Sequence, residues 1–186
     1  MQGHIALAVN TLTTVATVRL RPPERRVARA AIALWTLENL VGAVLTLLVA
    51  TVIAWWLSAA APSWVPRTVS HHAWWLPAIL ALLAVPGVLV APTWRYAVHR
   101  WEVSADVLYT RTGWFNREWQ LVPVSRIQTV DTTQSWLERP LGLATLRVQT
   151  ASHAGSSEVE GLPAPVATAL AEQLAVRAGT FRDDAT

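Results

Sequence analysis

The chain has 186 residues, of which 53% are apolar and only 15% are charged, and its mean hydropathy is +0.33. A soluble domain is typically about a quarter charged, so this composition argues against both a wholly soluble protein and a disordered one. Cysteine is absent, which excludes disulfides, thiolate metal sites and a thiol nucleophile.

The net charge of +3 is concentrated near the N-terminus. Residues 1–30 carry a net charge of +4, whereas residues 95–186 carry −1. A nucleic-acid-binding domain has a basic face or stripe, which this distribution does not provide, so we expect no nucleic-acid partner. We interpret the N-terminal arginines as groups that orient the chain on anionic lipid. They are Arg19, Arg21, Arg25, Arg26 and Arg29.

Two uncharged stretches, 39–57 and 73–91, have 19 residues each and are followed by a change in composition. Nineteen helical residues rise about 28 Å, close to the thickness of the hydrocarbon core of a bilayer. Tryptophans cluster at the ends of both stretches, as in the aromatic belts of membrane proteins. Arginines flank the hairpin on the side of both termini, and the positive-inside rule therefore predicts a multi-pass protein of the cell (inner) membrane with both termini cytoplasmic.

Glu38 is the one acidic residue at membrane depth, just before the first uncharged stretch. An intramembrane carboxylate is a functional candidate by default, here for a proton or an ion. The alternative is that Glu38 reaches the interface or pairs with a nearby arginine. In the second stretch, Pro86 and Gly87 predict a kink.

After Trp94 the sequence alternates in the manner of short antiparallel strands. We predict a short helical turn over 135–142 and a C-terminal helix over 163–178, ended by Gly179, with Val166, Leu170 and Leu174 on its apolar stripe. Such a helix packs on the open face of a curved sheet, which indicates a small, partly open barrel. The predicted strands are 100–104, 107–112, 118–122, 127–133, 144–150 and 158–162.

The stretch 122–151 (VPVSRIQTVDTTQSWLERPLGLATLRVQTA) resembles a family signature. Its pattern of V-P-x-x-R-I-Q-x-V-D, then L-x-R-x-x-G-L-A-x-L-x-V-x-T-A, followed by Gly161 and Leu162, is similar to that of the bacterial pleckstrin-homology-like (PH-like) membrane-flanking domains of the YdbS/YdbT type. Leu141 stands where phenylalanine is common in that pattern.

The resemblance implies an α+β membrane protein in which two transmembrane helices precede a PH-like split barrel of about six or seven antiparallel strands and one C-terminal helix. It places a basic cytoplasmic segment at 1–30, a helical hairpin at 31–94 with spans at about 31–57 and 73–91, the PH-like domain at 95–179 and a tail at 180–186. It implies no defined enzyme activity and no cofactor. A related membrane protein carrying several PH-like domains, or a second copy of the chain, is the expected protein partner.

Polar residues are unusually dense within the signature. One interpretation is an internal arginine–carboxylate network that fixes the turn over 135–142. The other is a surface that contacts a partner or a ligand. Gly142 is expected to allow a tight turn into the next strand. The candidate residues are Arg126, Gln128, Asp131, Gln134, Arg139 and Gly142.

The chain contains no glycine-rich phosphate loop, no H-E-x-x-H and no G-x-S-x-G, so we expect no catalytic or metal site. The pair His71-His72 has no neighbouring acid in a ligand pattern. The turn at 104–106 is acidic, which argues against capture of a lipid headgroup there. We therefore predict a non-enzymatic inner-membrane protein that displays a cytoplasmic PH-like module for binding a protein partner or for self-assembly. The alternatives are an accessory subunit of a transport or export complex that uses Glu38, and, less supported, a membrane enzyme.

Overall fold

The computed structural model describes residues 23–60, 62–104, 107–113, 117–150 and 156–183. The roles predicted for Arg19 and Arg21 lie outside the described residues, as do two residues of the turn predicted at 104–106.

Both stretches predicted to span the bilayer are helical. The helical part of the chain comprises α1 (Ala30–Ala60), α2 (Arg67–His72), α3 (Trp75–Leu89) and α4 (Ala91–Val98). Helix α1 and the continuous run 75–98 have hydropathies of 2.3 and 2.1 in their most apolar windows, of which only 11% and 6% is buried. Their apolar side chains therefore face outwards, as in helices that contact lipid, rather than forming a soluble core.

Helix α1 is longer than a bilayer requires. Its 31 residues rise about 46 Å, against a hydrocarbon core of about 30 Å. The first turns are instead packed into the following domain, where Ala31, Leu34 and Trp35 are buried. The second arm of the hairpin returns to the domain. Helix α3 runs through Pro86 to Leu89, and α4 then leads directly into β2 (Arg100–Val103), the first long strand.

Two antiparallel sheets follow the hairpin. The first has the order β1-β2-β3-β4 and the second the order β5-β6-β7, and α5 closes the domain. Their bounds are β1 (Arg25–Arg26), β2 (Arg100–Val103), β3 (Val107–Gly113), β4 (Arg117–Pro123), β5 (Ile127–Thr133), β6 (Leu143–Thr150), β7 (Ser157–Pro163) and α5 (Ala164–Asp183). The predicted fold class is thereby confirmed.

The domain has one core, to which both sheets, α5 and the start of α1 contribute. Alternate residues of the strands point inward because side chains in a strand face opposite sides. Its fully buried members include Leu34, Trp35, Leu108, Val124, Leu143, Leu146, Val148, Leu162 and Leu174.

The segment 135–142 forms the predicted short helical turn, since the Arg139 amide donates to the Ser135 carbonyl oxygen at 3.0 Å. The structure corrects three other details of the sequence prediction. Strand β1 was not predicted, because two residues carry no readable periodicity. Helix α5 continues past Gly179 to Asp183. Ala167, and not Val166, lies on the buried stripe of α5, since Val166 is 39% exposed.

Candidate functional site

The candidate residues of the signature lie on β5 and on the segments that flank it. Arg126 precedes β5, Gln128 and Asp131 lie on it, and Gln134, Arg139 and Gly142 follow in the turn. All six are exposed. We call the surface formed by β5 and the turn 134–142 the edge surface, because β5 is one of the two outer strands of its sheet.

The predicted arginine–carboxylate network is not formed by these residues. Asp131 lies opposite Arg147 in the register of β5 and β6, but the Arg147 Nε donates to Glu158 Oε1 at 2.7 Å instead. Within the described part of the chain, Arg126 and Arg139 form no ion pair. Of the predicted set, Gln134 does brace the turn, because its Nε2 donates to the carbonyl oxygen of Leu143 at 2.7 Å.

Glu138 holds the turn, a role that was not predicted from the sequence. This carboxylate is only 6% exposed and accepts hydrogen bonds from the Ser135 amide and the Thr145 hydroxyl, both at 2.7 Å. The Ser135 hydroxyl in return accepts from the Glu138 amide at 3.2 Å. This reciprocal pair is the capping-box arrangement, and the Ser-x-x-Glu pattern at 135–138 was the signal that could have found it. Gly142, the last residue of the turn, has a φ of +65°, which glycine adopts readily, and so it allows the tight turn into β6 that was predicted for it.

A cavity of about 550 Å³ lies where the membrane helices meet the two sheets. We call it the junction cavity. It is lined by Trp35, Asn39, Ala91, Pro92, Arg95, His99, Thr112, Gly113, Gln120, Ser156, Glu158 and Glu160. A smaller cavity of about 260 Å³ adjoins it, shares Arg95, Glu158 and Glu160, and adds Glu38 and Arg147 among others.

Arg95 is the central charged group of the junction cavity. Its guanidinium lies 4.4 Å from the centre of the Trp35 ring and donates to Glu160 Oε2 at 2.6 Å. The Trp35 ring in turn lies 5.1 Å from the His99 ring. Burial first, and then the charge of Arg95, lower the pKa of His99 to about 4. His99 is therefore neutral at neutral pH and adds no positive charge to the cavity.

Glu38 lies at this junction and not in the middle of the bilayer. It is the ninth residue of the 31-residue α1 and lines the smaller cavity with Arg95 and Arg147. The next residue, Asn39, donates through Nδ2 to the Gly87 carbonyl at 2.8 Å and so ties α1 to α3.

Two of the arginines predicted to orient the chain on lipid belong to the folded domain rather than to a separate segment. Arg25 and Arg26 form β1, paired with β2, and the Arg25 guanidinium lies 5.4 Å from the centre of the Trp101 ring. Arg29 follows immediately before α1. All three are exposed, so their charges are available at the start of the first membrane helix.

The described residues contain no group of three histidine, aspartate or glutamate side chains arranged to hold a metal ion. A second cleft of about 340 Å³ runs beside β4, between Trp119, Arg126 and Thr150 among others. It brings Arg126 next to the exposed Trp119, which the Arg111 guanidinium covers at 5.4 Å.

Two apolar helices that continue into a pair of antiparallel sheets with a closing helix define a membrane protein with a PH-like module. The chain belongs to the family described as Bacterial PH domain, whose model matches residues 10–178. It is 27% identical over 134 residues to the UPF0699 transmembrane protein YdbS of Bacillus subtilis (strain 168), which covers 70% of this chain and 78% of that protein. No solved structure matches the chain. The family expected from the signature is confirmed.

Proposed function

We propose that this protein is a non-enzymatic component of the inner membrane that holds its PH-like module on the cytoplasmic side, where the module binds a protein partner. The partner is either a related membrane protein with several PH-like domains or a second copy of this chain. The exposed arginines beside the start of α1, Arg25, Arg26 and Arg29, support the cytoplasmic placement through the positive-inside rule.

The edge surface is the observation that carries the proposal. An outermost strand offers unpaired backbone groups to which another strand can add. Of the seven residues of β5, five are exposed, and the chain places Asp131 there without an ion pair among the described residues. Trp136, in the adjoining turn, is 72% exposed and provides the kind of aromatic anchor that binding sites favour.

The turn is rigid although its outward side chains are free to bind. The side-chain hydrogen bonds of Glu138 and Gln134 hold the backbone of the turn, from which Trp136 and Arg139 project. A surface that is organised before binding loses less conformational entropy when a partner arrives.

We do not extend the proposal to transport. Glu38, on which that alternative depends, lies beside Arg95 and Arg147 at the junction with the domain. A path for ions or protons through the bilayer would need ionisable groups midway along α1, and residues 39–60 of that helix contain none; their polar side chains at mid-helix are Thr46 and Thr51.

Site-specific photo-crosslinking in native membranes tests the proposal. A photoreactive residue at Thr132, exposed on β5, is compared with one at Thr168, exposed on α5. We expect a crosslink from position 132 to a second copy or to another chain that carries PH-like domains, and its loss when Asp131→Arg and Trp136→Ala are introduced. Equal yields from both positions, or crosslinks only to chains without such domains, would contradict the proposal.

A further inference from the structure

The junction cavity lies at the depth of the lipid headgroups. Asn39 and Ala91, two of its lining residues, are the domain-side ends of the uncharged stretches 39–57 and 73–91. A helix leaves the hydrocarbon where such a stretch ends. The cavity therefore opens beside the polar part of one leaflet, and its volume of about 550 Å³ is within the range of small-ligand sites.

The walls of the cavity carry both signs of charge. Two arginines and four glutamates line the junction cavity and its smaller neighbour, which leaves an excess of two negative charges. They are Arg95, Arg147, Glu38, Glu138, Glu158 and Glu160. Because His99 is neutral, a purely anionic ligand would meet two arginines among four glutamates, and only Arg95 of the two lines the junction cavity itself. A ligand with an ammonium group as well as an anionic group matches these walls better.

The existing ion pairs are exchangeable. The Arg95 and Glu160 side chains are 35% and 36% exposed, and those of Arg147 and Glu158 are 43% and 36% exposed. Pairs this exposed are screened by water and hold each other weakly. The Trp35 ring supports the Arg95 guanidinium from one face, so it stays in position when Glu160 is drawn away.

We propose that the junction cavity binds the headgroup of a zwitterionic aminophospholipid, with its phosphate on the Arg95 guanidinium and its ammonium group on the Glu160 carboxylate. The ligand exchanges one Arg95–Glu160 pair for two charge-assisted interactions. Gln120, Thr112 and Ser156 supply further polar groups on the cavity wall. The inference rests on the proposed placement of the domain against the membrane but not on the binding of a protein partner.

Native mass spectrometry of the full-length protein in detergent measures the lipid that it retains. Phosphatidylethanolamine, phosphatidylglycerol and phosphatidylcholine are offered in equal amounts. The second lacks an ammonium group, and the third has an ammonium that cannot donate a hydrogen bond. We expect preferential retention of phosphatidylethanolamine by about tenfold, the usual effect of one charge-assisted hydrogen bond. Equal retention of the three lipids, or a preference for phosphatidylglycerol, would overturn the proposal.

Charge-neutral variants locate the site. Glu160→Gln should abolish the preference for phosphatidylethanolamine, whereas Glu172→Gln, at an exposed position of α5 outside the cavity, should preserve it. Should Glu160→Gln fail to fold, Glu38→Gln provides the second variant, since Glu38 is exposed and lines the smaller cavity. We expect Glu38→Gln to weaken the preference for phosphatidylethanolamine. If every variant that folds kept the full preference, this site would be ruled out.

The headgroup of phosphatidylethanolamine also exists in a water-soluble form without acyl chains, glycerophosphoethanolamine. Glycerophosphoethanolamine is therefore added to the delipidated protein, and we expect it to bind much more weakly than the lipid because it lacks acyl chains beside the helices. Binding as tight as that of the lipid would assign the cavity to a soluble metabolite and refute the lipid assignment. Photo-crosslinking from position 132 is measured in the Glu160→Gln variant as well, so that failure of partner binding and failure of lipid binding are distinguished.

Discussion

Replacing Gly161 with alanine tests how closely helix α1 is packed on the PH-like domain. Gly161 has φ of +72°, and its carbonyl oxygen accepts a hydrogen bond from the Ala28 amide at 2.9 Å. A Cβ atom at this position would lie 2.6 Å from the Cβ of Ala31, in the first turn of α1. The substitution therefore introduces both backbone strain and a steric clash between the sheet and the membrane helix.

The two terms can be estimated separately. A non-glycine residue in the left-handed region costs about 1–2 kcal/mol, and overpacking of a close contact costs about 1–3 kcal/mol. Gly161→Ala should thus lower the stability of the domain by roughly 2–5 kcal/mol. Gly142→Ala is the matched control, because Gly142 has φ of +65° but nothing within 4 Å of the added Cβ, and it should lose only the backbone term.

Thermal unfolding of the full chain in detergent, followed by tryptophan fluorescence, measures the difference. Each kcal/mol lowers the Tm of a domain of this size by about 4–8 °C, so the clash should separate the two variants by at least about 4 °C. Adding Ala31→Gly to Gly161→Ala removes the clashing atom and should recover part of the loss, net of about 1 kcal/mol for glycine in a helix. Equal losses in the two single variants would refute the close packing of α1 on β7.

Three further predictions address the turn, the junction and the topology. Glu138→Ala removes a buried acceptor of two hydrogen bonds and should cost about 2–4 kcal/mol, whereas exposed Glu172→Ala should change the Tm little. Burial holds the folded-state pKa of His99 at about 4, below its unfolded value, so protonation at low pH favours the unfolded chain. The stability should therefore fall by about 2–3 kcal/mol between pH 6.5 and 4. A His99→Gln variant that loses the same stability over this range as the unsubstituted protein would contradict this. Since the chain has no cysteine, Ser63→Cys should react with an impermeant maleimide on intact cells and Thr168→Cys only after lysis; the reverse pattern would invert the proposed topology.

The parts of the fold that depend on local pattern were predictable. The spans follow from uninterrupted apolar stretches. Strand β5 was predicted with its observed bounds because five of its seven residues are β-branched, and such residues favour extended backbone. Strand β1 was not predictable in this way. Its two arginines become a strand only because β2, about 75 residues later, supplies hydrogen-bond partners.

The candidate site divides in the same manner. The six signature residues were found from the sequence because they are dense, polar and close together along the chain. The junction cavity was not, since Trp35, Arg95 and Glu160 come from two helices and a strand that lie far apart in sequence. Pairings such as Arg95 with Glu160 depend on distances that no spacing along the chain encodes.

Glu38 illustrates what the sequence determines and what only the tertiary structure decides. The hydropathy of the sequence alone establishes that Glu38 borders the uncharged stretch 39–57. It does so because the cost of burying a charge in lipid is a property of the residue itself. Whether that acid faces lipid, a conduit or an arginine depends on how far α1 extends into the domain. Packing of Ala31, Leu34 and Trp35 into the core decides that extent, and it is a contact between segments that only the folded chain brings together.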